Sequence, residues 1–360
     1  MDHPVLFICG DPSGYNFVHP IHKAAKANGM PAVLVADGYS VNRCVEARQS
    51  FRFYATVQDM LDELTPAAVV TSMCCKGGIG AQVVKALRGK VPTIGLNALW
   101  GVIEDPWMEP EHRPDYIVVN DAIGAECFNR AYGYFEDRIK QLGYAALDRF
   151  AAFDTGKANI EAQQALRASG RDFVVLYTGM WNGHTQGLEA AAQACEILRD
   201  QRAVPVTLIA REHPRMRRDF PDAVAAWEQA TNHYKVAAAI LDTSAVLNTD
   251  YLIALAHVVV STTSSTLMEA SVLGRPNIAY LNPEILADYE RDTHGLLKEF
   301  PLVTLGCTAR AGNILELAGL IERALTDRSL GLEEAQRRVF RLDGKNAERC
   351  VEFLQGLLKR

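Results

Sequence analysis

A run of hydroxyl side chains follows an apolar segment in the second half of the chain. Ser and Thr fill positions 261–265, Thr266 continues the run, and Glu269 stands three positions later. Hydroxyls at the start of a helix cap backbone N–H groups, and together with the helix dipole they bind anionic oxygen. A carboxylate one turn into that helix could bind two neighbouring ribose hydroxyls. The pattern favours a nucleotide-diphosphate site, and its alternative is a capped helix without a ligand.

Two more polar loops follow strand-like segments of the same half. Gly179 and His184 lie in the first loop, and Arg211 and His213 lie in the second. When a bond to a nucleotide diphosphate breaks, negative charge grows on the leaving phosphate, and cationic side chains can stabilise it. His213 is therefore a candidate catalytic residue, and Arg211 and His184 are candidate phosphate ligands. The alternatives are a strand-end histidine before a proline turn for His213 and a helix-entry hydrogen bond for His184.

The first half of the chain supplies candidates for the acceptor side of such a reaction. Asp11 and Ser13 lie in a glycine-flanked loop after the first apolar segment, and Asp11 is the candidate general base. His19 is the second candidate base, with a packed or surface histidine as its alternative. Asn97 and Trp100 open a long acidic and aromatic segment that could form a wall beside the acceptor. The alternative is a surface loop whose Trp residues are anchored in the core.

Metal and cofactor chemistry has no sequence support. The chain contains no D-x-D motif for a divalent cation, and its eight cysteines form no C-x-x-C pair. We therefore predict neither a catalytic metal nor a cofactor, and the nucleotide-activated donor is expected as the substrate.

Apolar strand patterns alternate with helical ones along most of the chain, which predicts parallel sheets covered by helices on both faces. Ligands bind such sheets at the carboxyl ends of their strands. We predict an α/β fold of two doubly wound, Rossmann-like domains that face each other across a cleft. Two helices, 311–325 and 332–358, are expected to close the chain. Strands are predicted at 4–9, 32–36, 67–71, 93–96, 116–119, 138–142, 173–177, 206–210, 236–241, 257–261, 277–280 and 302–305.

The predicted domain boundaries follow from the polar, Ala-rich stretch in the middle of the chain. We place an N-terminal acceptor-side domain at 1–155 and a linker helix at 156–171. A C-terminal nucleotide-sugar-binding domain is predicted at 172–345, followed by a closing helix at 346–360.

Composition narrows the partners. With a net charge of −6 the chain lacks the basic surface that nucleic acid needs. It shows no signal-peptide pattern and no apolar stretch long enough to cross a membrane, so we expect a cytoplasmic protein. The sequence leaves open whether the protein self-associates. It also leaves open whether the protein contacts the surface of a membrane that carries a lipid-linked acceptor.

With these motifs the chain resembles nucleotide-sugar enzymes of the GT-B fold. Its C-terminal half is similar to UDP-N-acetylglucosamine 2-epimerases, lipid-A-disaccharide synthases and capsule or teichoic-acid transferases. The resemblance implies that Thr263, Ser264 and Ser265 hold phosphate, with Thr266 as a further position, and that Glu269 holds the ribose. It also implies a phosphate contact for the His of the His-Pro element and a donor-side role for the Thr-Gly loop.

Departures from these families separate the reactions. Pro12 and Phe17 stand where the epimerases have Arg and Lys, and 72–75 and 281–284 lack the acidic residues of the epimerase pattern. Without them, proton abstraction at the sugar carbon has no evident base. We therefore predict a glycosyltransferase that moves a sugar from a nucleotide sugar to a glycan or lipid-linked acceptor in bacterial cell-surface polysaccharide or glycolipid synthesis. The alternatives are a nucleotide-sugar 2-epimerase and a non-catalytic nucleotide-sugar-binding protein.

Overall fold

A computed structural model describes residues 3–73, 78–166, 173–180, 185–202, 205–214, 216–233, 237–241 and 247–359. Its strands form two parallel sheets of six strands each. The first sheet contains β1 (Val5–Cys9), β2 (Ala32–Ala36), β3 (Ala68–Ser72), β4 (Thr93–Leu96), β5 (Tyr116–Val119) and β6 (Ile139–Gln141). The second contains β7 (Phe173–Thr178), β8 (Val206–Arg211), β9 (Ala237–Leu241), β10 (Val258–Ser261), β11 (Asn277–Tyr280) and β12 (Ala309–Ala311).

Helices connect successive strands and cover the sheets. In chain order they are α1 (Pro12–Ala27), α2 (Tyr39–Glu46), α3 (Val57–Glu63), α4 (Ile79–Leu87), α5 (Asp105–Met108), α6 (Ala122–Tyr132), α7 (Thr155–Leu166), α8 (Gln186–Arg202), α9 (Met216–Asp219), α10 (Pro221–His233), α11 (Thr249–Leu255), α12 (Thr266–Val272), α13 (Pro283–Asp292), α14 (Pro301–Thr304), α15 (Ile314–Thr326), α16 (Glu333–Val339) and α17 (Asn346–Leu358). Short 3-10 turns lie at Pro110–His112, Glu136–Arg138 and Ala145–Ala152. None of the helices in the described ranges is both long and apolar enough to span a bilayer.

Both sheets reverse their direction of growth once. In the first sheet the order is β2-β1-β3-β4-β5-β6, so the chain leaves β1 toward one side and continues from β3 on the other. In the second the order is β12-β11-β10-β7-β8-β9, and the reversal lies between β7 and β10. In doubly wound sheets the crevice at such a switch point is where ligands bind. The fold therefore marks one candidate position in each sheet.

The chain divides into two compact units, each built around one sheet. Unit 1 comprises Met1–Ala151, Glu290–Leu297 and Arg341–Arg360, and unit 2 comprises Ala152–Tyr289 and Lys298–Phe340. The first boundary lies close to the predicted end of the first domain at 155. The division differs from the predicted domains because the residues after 340 and the segment Glu290–Leu297 belong to unit 1, and the predicted linker at 156–171 belongs to unit 2.

Asp148 explains why α17 belongs to unit 1. Its carboxylate accepts hydrogen bonds from the backbone N–H groups of Asn346 (3.0 Å) and Ala347 (2.8 Å). It thereby satisfies donors at the start of the helix that have no partner within the helix. A residue nearly 200 positions away thus caps α17, and local sequence carries no sign of it.

The predicted strand at 302–305 is wrong, because these residues form helix α14. Pro301 occupies the first turn, where its fixed φ and missing N–H suit a helix, and Leu302 is fully buried. The last strand of the sheet is instead β12, which pairs with β11. A short apolar run does not distinguish a buried strand from one buried helical turn.

The predicted helix at 332–358 is also corrected, because it is two helices, α16 and α17. Gly344 between them has φ +70°, a conformation that an α-helix cannot contain.

The remaining predicted strands are confirmed to within about a residue, and β1, β3 and β10 are fully buried, as central strands of a parallel sheet should be.

Candidate functional site

The switch point of unit 2 brings together residues that follow three neighbouring strands. Thr178 and Arg211 are register partners at the ends of β7 and β8. The Ser261 hydroxyl, at the end of β10, donates to the Thr178 carbonyl at 2.6 Å. The Gly179 N–H donates to the Arg211 carbonyl at 2.9 Å. The loops after β10, β7 and β8 therefore start side by side at one edge of the sheet.

The hydroxyl run forms the turn from β10 into α12. Ser265 is the N-cap residue of α12, and the Ser264 hydroxyl accepts from the Thr266 N–H at 3.2 Å. Ser264 also donates to the Thr266 hydroxyl at 3.1 Å. Thr263, Ser265 and Thr266 stay partly accessible, so the turn presents hydroxyls to a ligand.

Glu269 lies in the first turn of α12 and is partly buried. This position agrees with the carboxylate that the sequence places one turn behind the hydroxyls. Its role as a ribose ligand stays a prediction.

Thr178 belongs to the Thr-Gly loop to which the resemblance assigns a donor-side role, although it is not one of the individually predicted site residues. Its side chain is 3% exposed, and within the described part of the chain its hydroxyl has no hydrogen-bond partner. An unpaired buried hydroxyl costs about 1–3 kcal/mol, which a ligand oxygen at the switch point would offset. The sheet order adds that Thr178 ends its strand at the switch point.

The adjacent Gly179 cannot carry a larger side chain. A Cβ there would lie 2.6 Å from Cη2 of Trp227, so this loop keeps its path only with glycine.

Charged residues follow β8. Arg211 is 9% exposed, and His213 is partly buried. Between them, Glu212 is 2% exposed, and its two carboxylate oxygens accept from Nε and Nη2 of Arg217, both at 2.8 Å. This bidentate pair ties the His-Pro loop to α9. Sequence reasoning overlooked Glu212 because a carboxylate next to a predicted phosphate site has an unfavourable charge unless it is already paired.

His184 lies outside the described residues, so its proposed phosphate contact stays a prediction.

The switch point of unit 1 contains closely packed polar groups. The Asp11 carboxylate is the N-cap of α1 and accepts from the Gly14 N–H. Gly14 lies against β3: a Cβ there would lie 2.7 Å from Asp11 Oδ1 and 2.8 Å from the Ser72 Cβ. Asp11 is 8% exposed and Ser72 is 4% exposed. Asp11 therefore has a structural role in addition to its predicted role as base.

The hydroxyl oxygens of Ser13 and Ser72 are both buried. Among the described residues, neither oxygen has a hydrogen-bond partner. A cavity of about 10 Å³ is lined by Ser72, Asp37 and Trp107, together with Gly10 and Gly78. This volume is close to the smallest that can hold a single water molecule. Ser72 was missed because it ends an apolar strand.

Asn97 and Trp100 have structural partners. The Asn97 side chain donates to the Val102 carbonyl at 3.0 Å and closes its own loop. Trp100 is 2% exposed, and its indole N–H donates to Asp121 at 2.6 Å. Trp107 is equally buried. With both indoles in the core, this segment is an anchored loop, and neither ring has a free face for an acceptor.

The second candidate base, His19, lies on α1 and is stacked on Tyr15 with ring centroids 4.9 Å apart. Its Nε2 lies 3.0 Å from Oε1 of Gln49. Partial burial lowers the pKa of His19, which favours the neutral imidazole. One helical turn on, burial lowers the pKa of His22 to about 4.

Comparison with protein families gives one match. The family described as CDP-glycerol:poly(glycerophosphate) glycerophosphotransferase matches residues 104–356 of this chain. No curated relative matches the sequence.

Solved structures of similar fold cover almost the whole chain. UDP-GlcNAc 2-epimerase from Neisseria meningitidis, bound to UDP-GlcNAc, has a TM-score of 0.72 at 12% identity and covers 98% of this chain and 100% of its own. Anabaena Alr3699/HepE, in complex with UDP and glucose, has a TM-score of 0.66 at 15% identity over 99% and 100%. The wall teichoic acid polymerase TagF has a TM-score of 0.62 at 14% identity over 99% and 89%. These likenesses show that the chain has the predicted GT-B fold.

Proposed function

The chain belongs to this glycerophosphotransferase family, and on that premise we propose that it transfers an activated group from a nucleotide-diphosphate donor to an acceptor hydroxyl. The observation that carries the proposal is the position of the 262–266 hydroxyl turn at the switch point of unit 2, beside Thr178 and Arg211. Hydroxyls and a guanidinium suit the oxygens of a diphosphate.

Family membership favours a polyol-phosphate donor such as CDP-glycerol. In that reaction the acceptor oxygen attacks the phosphorus that carries glycerol, and the bond from this phosphorus to the oxygen of CMP breaks. The electron pair leaves with CMP, and the acceptor proton passes to a base. Arg211 and the hydroxyl turn would stabilise the charge that grows on the leaving phosphate. Unit 1 would supply the base, for which Asp11 is the candidate.

Sugar transfer from a nucleotide sugar is the second candidate, because the fold is shared with proteins whose solved structures contain UDP-GlcNAc or UDP with glucose. There the acceptor attacks the anomeric carbon, the bond to the diphosphate breaks, and the whole nucleoside diphosphate leaves. Either reaction would be a step in the synthesis of a bacterial cell-surface polymer.

The released nucleotide distinguishes the two reactions. Purified protein is incubated with CDP-glycerol or with UDP- or CDP-activated sugars, each with a glycerophosphate oligomer or a glycan acceptor, and nucleotides are separated by chromatography. CMP release with growth of the acceptor supports polyol-phosphate transfer, and nucleoside diphosphate release with growth supports sugar transfer. Inversion of the free sugar donor at C2 would indicate the epimerase alternative. Binding of donors without turnover would indicate a non-catalytic binder.

The donor site is tested separately by calorimetric titration with nucleotide. Arg211→Met should weaken donor affinity by about 10- to 100-fold, since a hydrogen bond to a charged group contributes about 1.5–3 kcal/mol. Arg310→Met is the matched control in unit 2, because Arg310 pairs with Glu299 at 3.0 Å on the surface. Glu269→Ala should lower the affinity for nucleotides that carry a ribose but should not change the affinity for inorganic diphosphate. Unchanged affinity in both variants would place the donor elsewhere.

A further inference from the structure

Three side chains in the acidic segment of unit 1 converge without a role in either switch point. They belong to Glu109, Glu111 and His112, on and just before the 3-10 turn Pro110–His112. One ligand-type atom from each lies within 4.8 Å of the others. From this arrangement we propose that the three side chains form a site for a divalent transition-metal cation of the zinc class.

His112 is stronger evidence for a metal site than its two acidic neighbours. Its side chain is only 6% exposed, whereas those of Glu109 and Glu111 are 59% and 47% exposed. Among the residues that the structure describes, neither ring nitrogen of His112 has a hydrogen-bond partner. Leaving a buried polar group unpaired costs about 1–3 kcal/mol, so an uncompensated imidazole at this position would be a liability.

The approach of His112 to Glu109 suits shared ligation. Nδ1 of His112 lies 3.1 Å from Oε2 of Glu109, yet the two atoms do not meet hydrogen-bond geometry. Two ligand atoms that point at a common cation lie near each other without pointing at each other. The imidazole nitrogen therefore lies close enough to a Glu109 oxygen for the two atoms to share one cation.

The backbone prepares this geometry before any cation binds. Pro110 fixes the start of the turn, and the His112 N–H donates to the Glu109 carbonyl at 3.0 Å. Arg88, the residue that follows α4, also donates to the Pro110 carbonyl. Little chain entropy remains to be lost when the three side chains close on an ion.

The donor atoms identify the class of cation. One imidazole nitrogen with two carboxylates suits zinc, whereas magnesium and calcium take oxygen ligands only. Three protein ligands leave a fourth tetrahedral position for water, and both glutamates are accessible enough for water to reach it.

Lys85 is the competing cation at this site. Its ammonium nitrogen lies 3.3 Å from Oε1 of Glu111, and both side chains are about half exposed. Because exposed ion pairs contribute only about 0–1 kcal/mol, a bound divalent ion should displace Lys85 from Glu111.

The test is zinc binding to the full chain, measured by titration calorimetry and by metal analysis after dialysis. We expect a single zinc ion per chain. His112→Gln should weaken binding at least about 100-fold, because even groups that only orient metal ligands contribute 10- to 100-fold in affinity. Glu111→Gln replaces an exposed residue, so it tests the site even if the buried His112 variant folds poorly, and it should also weaken binding strongly. Lys85→Met should leave zinc affinity equal or higher.

Two controls separate this site from other zinc ligands. Glu126→Gln removes an exposed carboxylate of α6 in the same unit and should leave the zinc affinity unchanged. A Cys74→Ser/Cys75→Ser variant removes two adjacent thiols outside the described residues and should also retain zinc. Absence of zinc binding by the unaltered protein would overturn the proposal, as would unchanged affinity in Glu111→Gln or loss of binding in the cysteine variant alone. Because these readouts measure metal and not turnover, failure of this site would leave the proposed transferase function untouched.

Discussion

The loop after β1 in unit 1 and the loop after β7 in unit 2 occupy the same topological position, but different groups surround them. Asp11 and Asp37 lie beside the first loop, whereas Arg211 and the hydroxyl turn lie beside the second. A carboxylate can accept a proton but repels phosphate, and a guanidinium with hydroxyls attracts it. The comparison indicates that one doubly wound plan serves two tasks, with the difference set by a few residues at the strand ends.

The two loops also depend on glycine for different reasons. Gly14 is enforced by the Ser72 side chain and the Asp11 carboxylate, and Gly179 by the indole of Trp227. In unit 1 the tight approach therefore holds polar oxygens together, and in unit 2 it packs the loop on an apolar ring.

Asp11→Asn should have the largest effect on turnover, and it should affect only the proposed base in unit 1 and not the donor site in unit 2. If Asp11 is the base, turnover should fall by about 10²- to 10⁴-fold. Asparagine caps helices as well as aspartate does, so α1 and the free energy of unfolding should change little. Transfer rates and nucleotide affinity are measured together, and affinity should be unchanged because the donor residues belong to unit 2.

The control for that variant is Asp121→Asn, which changes the N-cap of α6 in the same unit. Equal losses of turnover in the two variants would attribute the effect to capping rather than to proton transfer.

Gly14→Ala should lower the free energy of unfolding of unit 1 by about 2–3 kcal/mol, because the added Cβ overlaps the Ser72 side chain. Urea titration measures the change. In the Gly14→Ala/Ser72→Gly double variant part of the loss should be recovered, because the overlap with Ser72 is removed while the Asp11 carboxylate stays 2.7 Å from the new Cβ. Without any recovery, Ser72 would not be a residue that demands glycine.

The pH response should distinguish α1 of unit 1 from α8 of unit 2. Burial lowers the pKa of His22 on α1 to about 4, and it raises the pKa of Cys195 on α8 to about 12. Below the unfolded value of about 6.5, protonation of His22 favours the unfolded chain, so its contribution is complete above that pH and declines toward pH 4. Cys195 contributes no change in that range.

Unit 1 should therefore lose about 2 kcal/mol through His22 between pH 7 and pH 5. The measurement is urea unfolding at both values for the unaltered protein and for His22→Gln, whose loss should be smaller by this amount. His3→Gln changes an exposed histidine of the same unit and should keep the full loss. Parallel losses in all three proteins would contradict the role of burial.

The local sequence predicted most of the strands and helices because interactions between nearby residues largely determine these elements. The mostly apolar segments at 32–36, 93–96 and 277–280 are strands with the predicted bounds, and each pairs in parallel with its neighbours in the sheet. The prediction failed at 302–305, where three apolar residues and Thr304 fit either a strand or one helical turn.

Candidate site residues were predictable where charged or clustered polar residues follow an apolar segment. Asp11, Arg211 and the hydroxyl run were recognisable in this way. Ser72, a single hydroxyl at the end of a buried strand, became visible only once the sheet order placed it at a switch point, and the same order singled out Thr178 within its loop. Glu212 needed its partner Arg217 before a carboxylate made sense there.

The cap that Asp148 places on α17 has a consequence for synthesis of the protein. Unit 1 draws on residues from both ends of the described chain, whereas residues 152–340 contain all of unit 2 and only a short segment of unit 1. On the ribosome unit 2 can therefore complete its contacts while unit 1 still waits for residues 341–360. Unit 1, which contains Asp148, should therefore mature after unit 2, although β1 precedes the other described strands in the chain.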